Sequence, residues 1–425
     1  MKVFKTLKEG LDKNSIKNAL QESLSDKNVS NVLIIPPDFT RYHSNAGFIT
    51  NCYYHLLTDK GVNVDILPAL GTHVAMTSEE KKDMYGDIPE EKFFVHNWRE
   101  DVIKIGEVPG DYISSITEGL WNEDVPVEIN KLVMDPKYDL IISVGQVVPH
   151  EVVGMANHAK NLFVGVGGSK MINSSHMIGA IYGMERMMGK DNTPVRKIFD
   201  YGLENFLKDR TIMFALTVTT APQGNISTKG LFISEGRECF NEAVKLAQEI
   251  NIDFTDKPFK KCVVYLDPSE FKSTWLGNKS IYRTRMAMAD GGELIVLAKG
   301  VDKFGEDKEI DNLIRKYGYT GRLNILEKYN DTSCTDLRNN LSAAAHLIHG
   351  SSDGRFNIVY AVENISEEEI RSVGFISAKY SDMVKKYDPN KLQYGFNDVD
   401  GEEVYYIPNP ALGLWIDKGK FEGEL

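Results

Sequence analysis

One stretch and two earlier turns hold the residue types that acid–base and covalent chemistry use. The stretch runs from Pro149 to His176 and carries three of the nine histidines, His150, His158 and His176, with Lys160 among small residues. The turns are Asp38-Phe39-Thr40-Arg41 and Gly71-Thr72-His73. Histidine titrates near neutrality and can take or give a proton. A lysine flanked by Ala156, Ala159 and Leu162 suits burial, which favours the neutral, nucleophilic amine. Arginine offers paired N–H groups to a carboxylate. Gly165-Val166-Gly167-Gly168-Ser169-Lys170 has the make-up of a backbone nest for a phosphate, with Lys170 beside it. Each motif also has an ordinary reading. Asp-x-Thr-Arg is a common helix N-cap with a surface arginine, a histidine after a Gly-Thr turn is commonly hydrogen-bonded within its loop, and glycine-rich turns are frequent.

Position joins them. Residues 31–37 (NVLIIPP), 62–67 and 140–144 read as buried strands, and the three motifs follow their carboxyl ends. Side chains there face the crevice in which α/β sheets bind ligands. A helical pattern runs from about Asn45 to Gly61, Thr77–Glu80 has capping-box spacing, and a short strand is expected near Phe93–Val95. Further on, 211–219 reads as a strand and 236–250 as an amphipathic helix. The polar segment Asn251–Lys261 reads as a boundary. The alternation then restarts, with strands expected at 262–266, 293–298, 323–326, 357–362 and 404–407 and a second capping box at Ser366–Glu369. The fold class expected is α/β: two α/β domains, 1–255 and 256–425, with mostly parallel sheets and an active-site cleft between them.

Composition narrows the class. At 425 residues, 42 % hydrophobic and 26 % charged, the chain is that of a globular protein too long for one ordinary core. A net charge of −12 argues against nucleic acid or an anionic membrane as partner. The N-terminus lacks a leader-like apolar core and no stretch is long enough to span a membrane, so a cytoplasmic protein is expected. Cys52, Cys239, Cys262 and Cys334 are too scattered for a disulfide frame or a zinc site.

Taken jointly, Asp38-x-Thr40-Arg41, Gly71-Thr72-His73, Pro149-His150, Lys160 ten residues after His150, and His176 sixteen further on resemble the nickel-pincer lactate racemase family of 2-hydroxy-acid racemases and epimerases. Lys279, twelve residues before Gly291-Gly292, extends the resemblance, which covers roughly residues 30–410. The resemblance implies a covalently tethered nickel-pincer pyridinium mononucleotide, built by dedicated maturation proteins, with Lys160 as tether and His176 as the nickel ligand. Imidazole with soft sulfur donors suits Ni(II). It further implies a small 2-hydroxy acid as substrate, His73 and His150 as paired bases, and Arg41 and Lys279 on the carboxylate. Asp38 either orients Arg41 or, with Thr40, meets the cofactor ribose; Gly167, Gly168 and Lys170 fall to its phosphate. The chemistry needs two bases. Removing a proton from C2 beside a carboxylate is very hard, whereas transient oxidation to the keto acid lets hydride return to either face. The hydroxyl then lies on opposite sides in the two enantiomers.

Three departures stand out. The family's Ser-Gly-Gly-Ala-Lys run is Ala156-Asn157-His158-Ala159-Lys160 here, its following Pro-Gly is Val164-Gly165, and its Tyr-Gln pair is Trp275-Leu276. Polar Asn157 and His158, with Trp275 to stack on a sugar-like chain, argue for a polyhydroxylated (aldonic) acid rather than lactate, unless the two polar residues face the phosphate loop instead. His158 is either a neighbour of the site or a hydrogen-bonded loop residue, and His96 could line the crevice. His43, His55, His346 and His349 read as structural. Two other classes remain: a non-catalytic binder of a nucleotide-like ligand or small acid, and a zinc hydrolase using His73, His150 and His176.

Overall fold

The computed structural model describes residues 2–221 and 225–422. The chain forms two compact units, residues 1–178 with 187–251, and 179–186 with 252–425. The sheets are mostly parallel and helices separate their strands, which makes the chain α/β.

The first unit contains β1 (Val3–Thr6), β2 (Asn31–Ile35), β3 (Asn63–Ile66), the hairpin β4 (Val102–Val108) and β5 (Val125–Asn130), then β6 (Leu140–Gln146), the short pair β7 (Pro149–His150) and β8 (Gly154–Met155), β9 (Ile212–Thr220) and β10 (Ser227–Ser234). Six of them form one sheet in the order β1-β10-β9-β6-β2-β3. Its centre is parallel, β3 to β2 to β6 to β9, and its β10 and β1 edge is antiparallel. From β2 the chain winds outward to β3 and later returns to β6 on the other side. The carboxyl ends of β2 and β6 therefore flank the switch point of the sheet, where a crevice opens. The apolar runs explain the burial. Val32–Ile35 and Leu140–Val144 are inaccessible, covered on both faces as parallel strands require.

Local signals work as their chemistry dictates. Thr77 and Glu80 form a reciprocal capping box at the helix Ser78–Tyr85, and Ser366 and Glu369 form another at Glu367–Ser372. The helix Glu238–Ile250 buries Phe240, Ala243, Val244 and Ala247 on one stripe.

The second unit contains β11 (Asp253–Thr255), β12 (Phe259–Tyr265), β13 (Met288–Leu297), β14 (Asn357–Val362), β15 (Ile376–Lys379), β16 (Gly395–Val399), β17 (Glu402–Ile407) and β18 (Trp415–Asp417). Its six-stranded sheet has the order β15-β14-β13-β12-β17-β16, parallel except for the β16 edge.

Two expected strands are corrected. Phe93–Val95 is not a strand: Phe93 makes a single bridge to Ile66, and Phe94 and Val95 turn to solvent. Leu323–Leu326 lies inside a helix, Arg322–Asn330, in which Ile325 is buried and Leu323 is exposed. A segment of four residues, three of them apolar, has no period of its own, and Gly321 starts the helix. Cys52, Cys239, Cys262 and Cys334 are all free thiols. Among the described residues, no helix is long and apolar enough to cross a membrane.

Candidate active site

The first unit gathers its chemistry-bearing residues beyond β2, β3 and β6. Asp38 follows β2 and is buried. Its Oδ1 accepts the Thr40 hydroxyl at 2.5 Å, and its Oδ2 accepts Nδ1–H of His73 at 2.6 Å. Burial pushes the Asp38 carboxyl up, but those hydrogen bonds and the charges of His73 and Arg41 outweigh it, and the pKa falls below its ordinary value. A carboxylate that holds Nδ1–H leaves the Nε2 lone pair of the exposed His73 to face outward as a base. Both Asp38 carboxylate oxygens accept bonds within the chain, and the Arg41 charge acts on the same carboxylate.

His150 ends the short strand β7 and is buried. The Val152 amide donates to its Nδ1 at 3.1 Å, so the neutral ring carries its proton on Nε2. Burial first, then the charges of Lys160, Arg41 and His176, hold its pKa well below the usual histidine value, against the pull of Glu151. His73 thus presents an acceptor and His150 a donor.

Lys160 sits at the head of a single π-helical turn, Asn161–Gly165. Such turns insert a residue and commonly mark functional positions. Asn161 anchors the turn to the strand ends, donating to the Ile35 carbonyl and to the Ser143 hydroxyl, both at 3.0 Å. Lys160 is partly buried, and its amine is surrounded by protein. Burial, then Arg41 and Arg196, lower its pKa to about 8, while Glu151 and Asp38 pull the other way. Such an amine has a far larger neutral fraction near physiological pH than an ordinary lysine does.

His176 lies on the helix Ser169–Tyr182. Its Nδ1 donates to the Ile172 carbonyl one turn back, at 2.6 Å. That bond fixes the tautomer and leaves Nε2 with a free lone pair, the arrangement typical of a metal-binding imidazole. Burial lowers its pKa, which favours the same neutral form.

Residues 2–189 match the lactate racemase N-terminal domain. That stretch is similar to the family over less than half of the chain. The match contains Asp38, Arg41, His73, His150, Lys160 and His176, while Trp275 and Lys279 lie beyond it. No curated protein sequence matches the chain. The whole chain is similar to the crystal structure of a Thermotoga maritima protein (TM-score 0.77, 23 % identity, 96 % of this chain and 99 % of that one). It is also similar to the lactate racemase apoprotein from Thermoanaerobacterium thermosaccharolyticum (TM-score 0.68, 17 % identity, 94 % and 92 %). At these identities the likeness is one of fold.

Within the matched residues, the glycine-rich loop departs from expectation. The Gly168 amide donates to the Glu128 carbonyl at 3.2 Å and the Lys170 amide to the Glu128 carboxylate at 3.3 Å. Those two amides are spoken for, and a carboxylate stands where a phosphate was expected. Gly167 is needed sterically, because a Cβ there would lie 1.9 Å from the Phe163 carbonyl oxygen. Nor do His73, His150 and His176 form a zinc site: among the described residues no three His, Cys, Asp or Glu side chains group as metal ligands.

Two residues of the site, Arg196 and Glu151, have no part in the sequence reading, and His96 and His158 take other places than the crevice. His96 is buried, accepts from Asn130 at 2.9 Å and donates to the Gly167 carbonyl at 3.0 Å, so it holds the loop rather than lining the crevice. Arg196, fully buried, donates to the carbonyls of Met155 (2.6 Å) and Asn157 (3.1 Å) and so braces the approach to Lys160. A charged residue on the apolar stripe of its helix, beside Val195, Ile198 and Phe199, was the available signal. Glu151, whose charge acts on His150, Lys160 and His176 alike, was not singled out either. His158 belongs to the core, its ring packed between Phe214 and Phe240 at 4.0 and 5.2 Å.

In the second unit, Trp275 and Lys279 follow β12 on two adjacent short helices, Thr274–Gly277 and Lys279–Tyr282. Trp275 stacks on His346 at 4.1 Å, and the Lys279 ammonium lies 5.9 Å from the Phe271 ring.

Proposed function

We propose that this chain is a racemase or epimerase that inverts C2 of a 2-hydroxy acid, working with a nickel-pincer nucleotide tethered to Lys160. The observation that carries this reading is a buried lysine amine with its pKa lowered to about 8, held among Arg41, Glu151 and Asp38 and close enough to His150 and His176 for its charge to act on both. The residues present fit such a group. Lys160 supplies a nucleophilic amine, and His176 supplies an imidazole whose Nε2 is free and whose Nδ1 is fixed. When bound, the cofactor supplies a hydride acceptor that can return hydride to either face of the substrate carbon.

The protein's own part is proton handling and binding. His73, backed by Asp38, takes the hydroxyl proton of one enantiomer at Nε2. His150 presents N–H to the oxygen on the other side. For the reverse direction it has to release Val152 and turn a lone pair to the substrate. Arg41, from the same turn as Asp38, holds the substrate carboxylate.

The argument for a longer, polyhydroxylated substrate loses two of its three supports. The His158 ring is enclosed by phenylalanines, and Asn157 is buried with its amide against Gly145. Trp275 alone still favours a sugar-like chain.

The test is direct. Protein matured together with the cofactor-building proteins is incubated separately with lactate, malate and gluconate, and C2 configuration is read by chiral chromatography. Inversion of at least one acid supports the reading, and inversion of gluconate but not lactate restores the aldonic preference. No inversion by protein that carries nickel and the adduct overturns it.

A further inference from the structure

A cavity of about 770 Å³ lies in the second unit, and every residue lining it belongs to that unit. None of the residues assigned above takes part. It sits at the amino ends of the strands: Asp290 is among the first residues of β13, and Arg355 stands two residues before β14. Trp275 and Lys279 follow the carboxyl end of β12, so the cavity is a different place in the fold.

Its charge is unbalanced. Four cations line it, Arg186, Arg322, Arg355 and Lys420, against three carboxylates. Each carboxylate is already engaged. Glu185 accepts Arg285 at 2.6 Å and Arg355 at 3.3 Å, Asp290 accepts Arg355 at 2.9 Å, and Asp353 accepts Arg285 at 3.2 Å and the Arg322 amide at 2.6 Å. By contrast, the Arg322 guanidinium donates to the Ile181 carbonyl at 3.2 Å and the Lys420 ammonium to the Met288 carbonyl at 2.6 Å, both uncharged partners. Burial, then the charge of Arg355, lowers the pKa of Lys420, a cost that an anion would relieve.

Gly321, Arg322, Leu323 and Asn324 line the cavity as the first turn of the helix Arg322–Asn330, whose Arg322 amide is already taken by Asp353, so the cationic side chains are what the cavity offers an anion. Met286 and Leu323 give the wall an apolar portion, and Leu323 is 76 % exposed. The volume falls within the roughly 300–1,000 Å³ of small-molecule sites.

We propose that this cavity binds a phosphorylated organic molecule of nucleotide or sugar-phosphate size. Its phosphate is held by Arg322 and Lys420, and its organic part rests on Met286 and Leu323. The site is independent of the chemistry assigned to the first unit.

Titration calorimetry of the full chain without cofactor tests it, with AMP, glucose 6-phosphate and inorganic phosphate as separate probes. Leu323→Glu places a negative charge at an exposed position without touching the core. Arg322→Gln removes a donor, and Lys160→Ala serves as control. The expected result is saturable binding of an organic probe, tighter than inorganic phosphate, weakened about tenfold or more by Leu323→Glu and unchanged by Lys160→Ala. If Arg322→Gln fails to fold, Leu323→Glu decides alone. The proposal is overturned if neither organic probe saturates below about 10 mM. It is equally overturned if inorganic phosphate binds as well as the organic probes, if Leu323→Glu binds like the parent, or if Lys160→Ala abolishes binding.

Discussion

The Asp38 carboxylate lies 2.6 Å from Nδ1 of His73, thirty-five residues away in sequence and joined to it across the ends of neighbouring parallel strands. This pair makes one of the two proposed bases unlike the other. His73 is oriented by a carboxylate, while His150 is held by the backbone amide of Val152.

Asp38→Asn keeps the size of the side chain but removes the charge that holds the His73 tautomer. The expected loss of turnover is about 100-fold or more. It should be larger for the enantiomer whose hydroxyl His73 deprotonates, and initial rates from each pure enantiomer measure this. Equal, small losses in both directions would separate Asp38 from proton transfer.

His150 has its pKa held below the ordinary histidine value, chiefly by burial. A depressed pKa means that the neutral ring persists as pH falls through the usual histidine range. The acid limb of the pH–rate profile for the direction that uses His150 should therefore lie below pH 6.5, the ordinary histidine value. An acid limb at or above that value would assign the proton step to another group.

Lys160 should react as an amine far more readily than a surface lysine. With its pKa near 8 rather than the ordinary 10.5, trace acetylation should reach half its maximal rate near pH 8. Mass mapping of the modified peptide gives the profile, and half-maximal labelling near the ordinary lysine value would show a solvated side chain.

Gly167→Ala puts a Cβ against the Phe163 carbonyl oxygen, a contact that backbone must move to relieve. Overpacking of this kind costs about 1–3 kcal/mol, measurable by urea unfolding. A stability equal to the parent would show that the turn after Lys160 is looser than its packing implies.

Much of this architecture is legible from apolar runs and caps. The buried strands β2 and β6 announce themselves as NVLII and LIISV, and both capping boxes form as their spacing dictates. What fails is what depends on distant partners. Leu323–Leu326 looks like a strand until Gly321 and the exposure of Leu323 show a helix. The hairpin of β4 and β5 carries Glu128, which takes two amides of the glycine loop, and no local pattern links residue 128 to residue 168. His158 looked chemical because it stands beside Lys160, yet successive residues can face opposite ways, and it packs between two phenylalanines.

The central claim is that Lys160 is the covalent anchor of a nickel-bearing nucleotide. Intact mass and metal analysis of the chain produced with its maturation proteins, beside Lys160→Arg made the same way, address it most directly. Arginine stays protonated and cannot act as the amine nucleophile. The account predicts an adduct and nickel on the parent chain and neither on Lys160→Arg. An unmodified parent chain, or an adduct that survives the substitution, would contradict it.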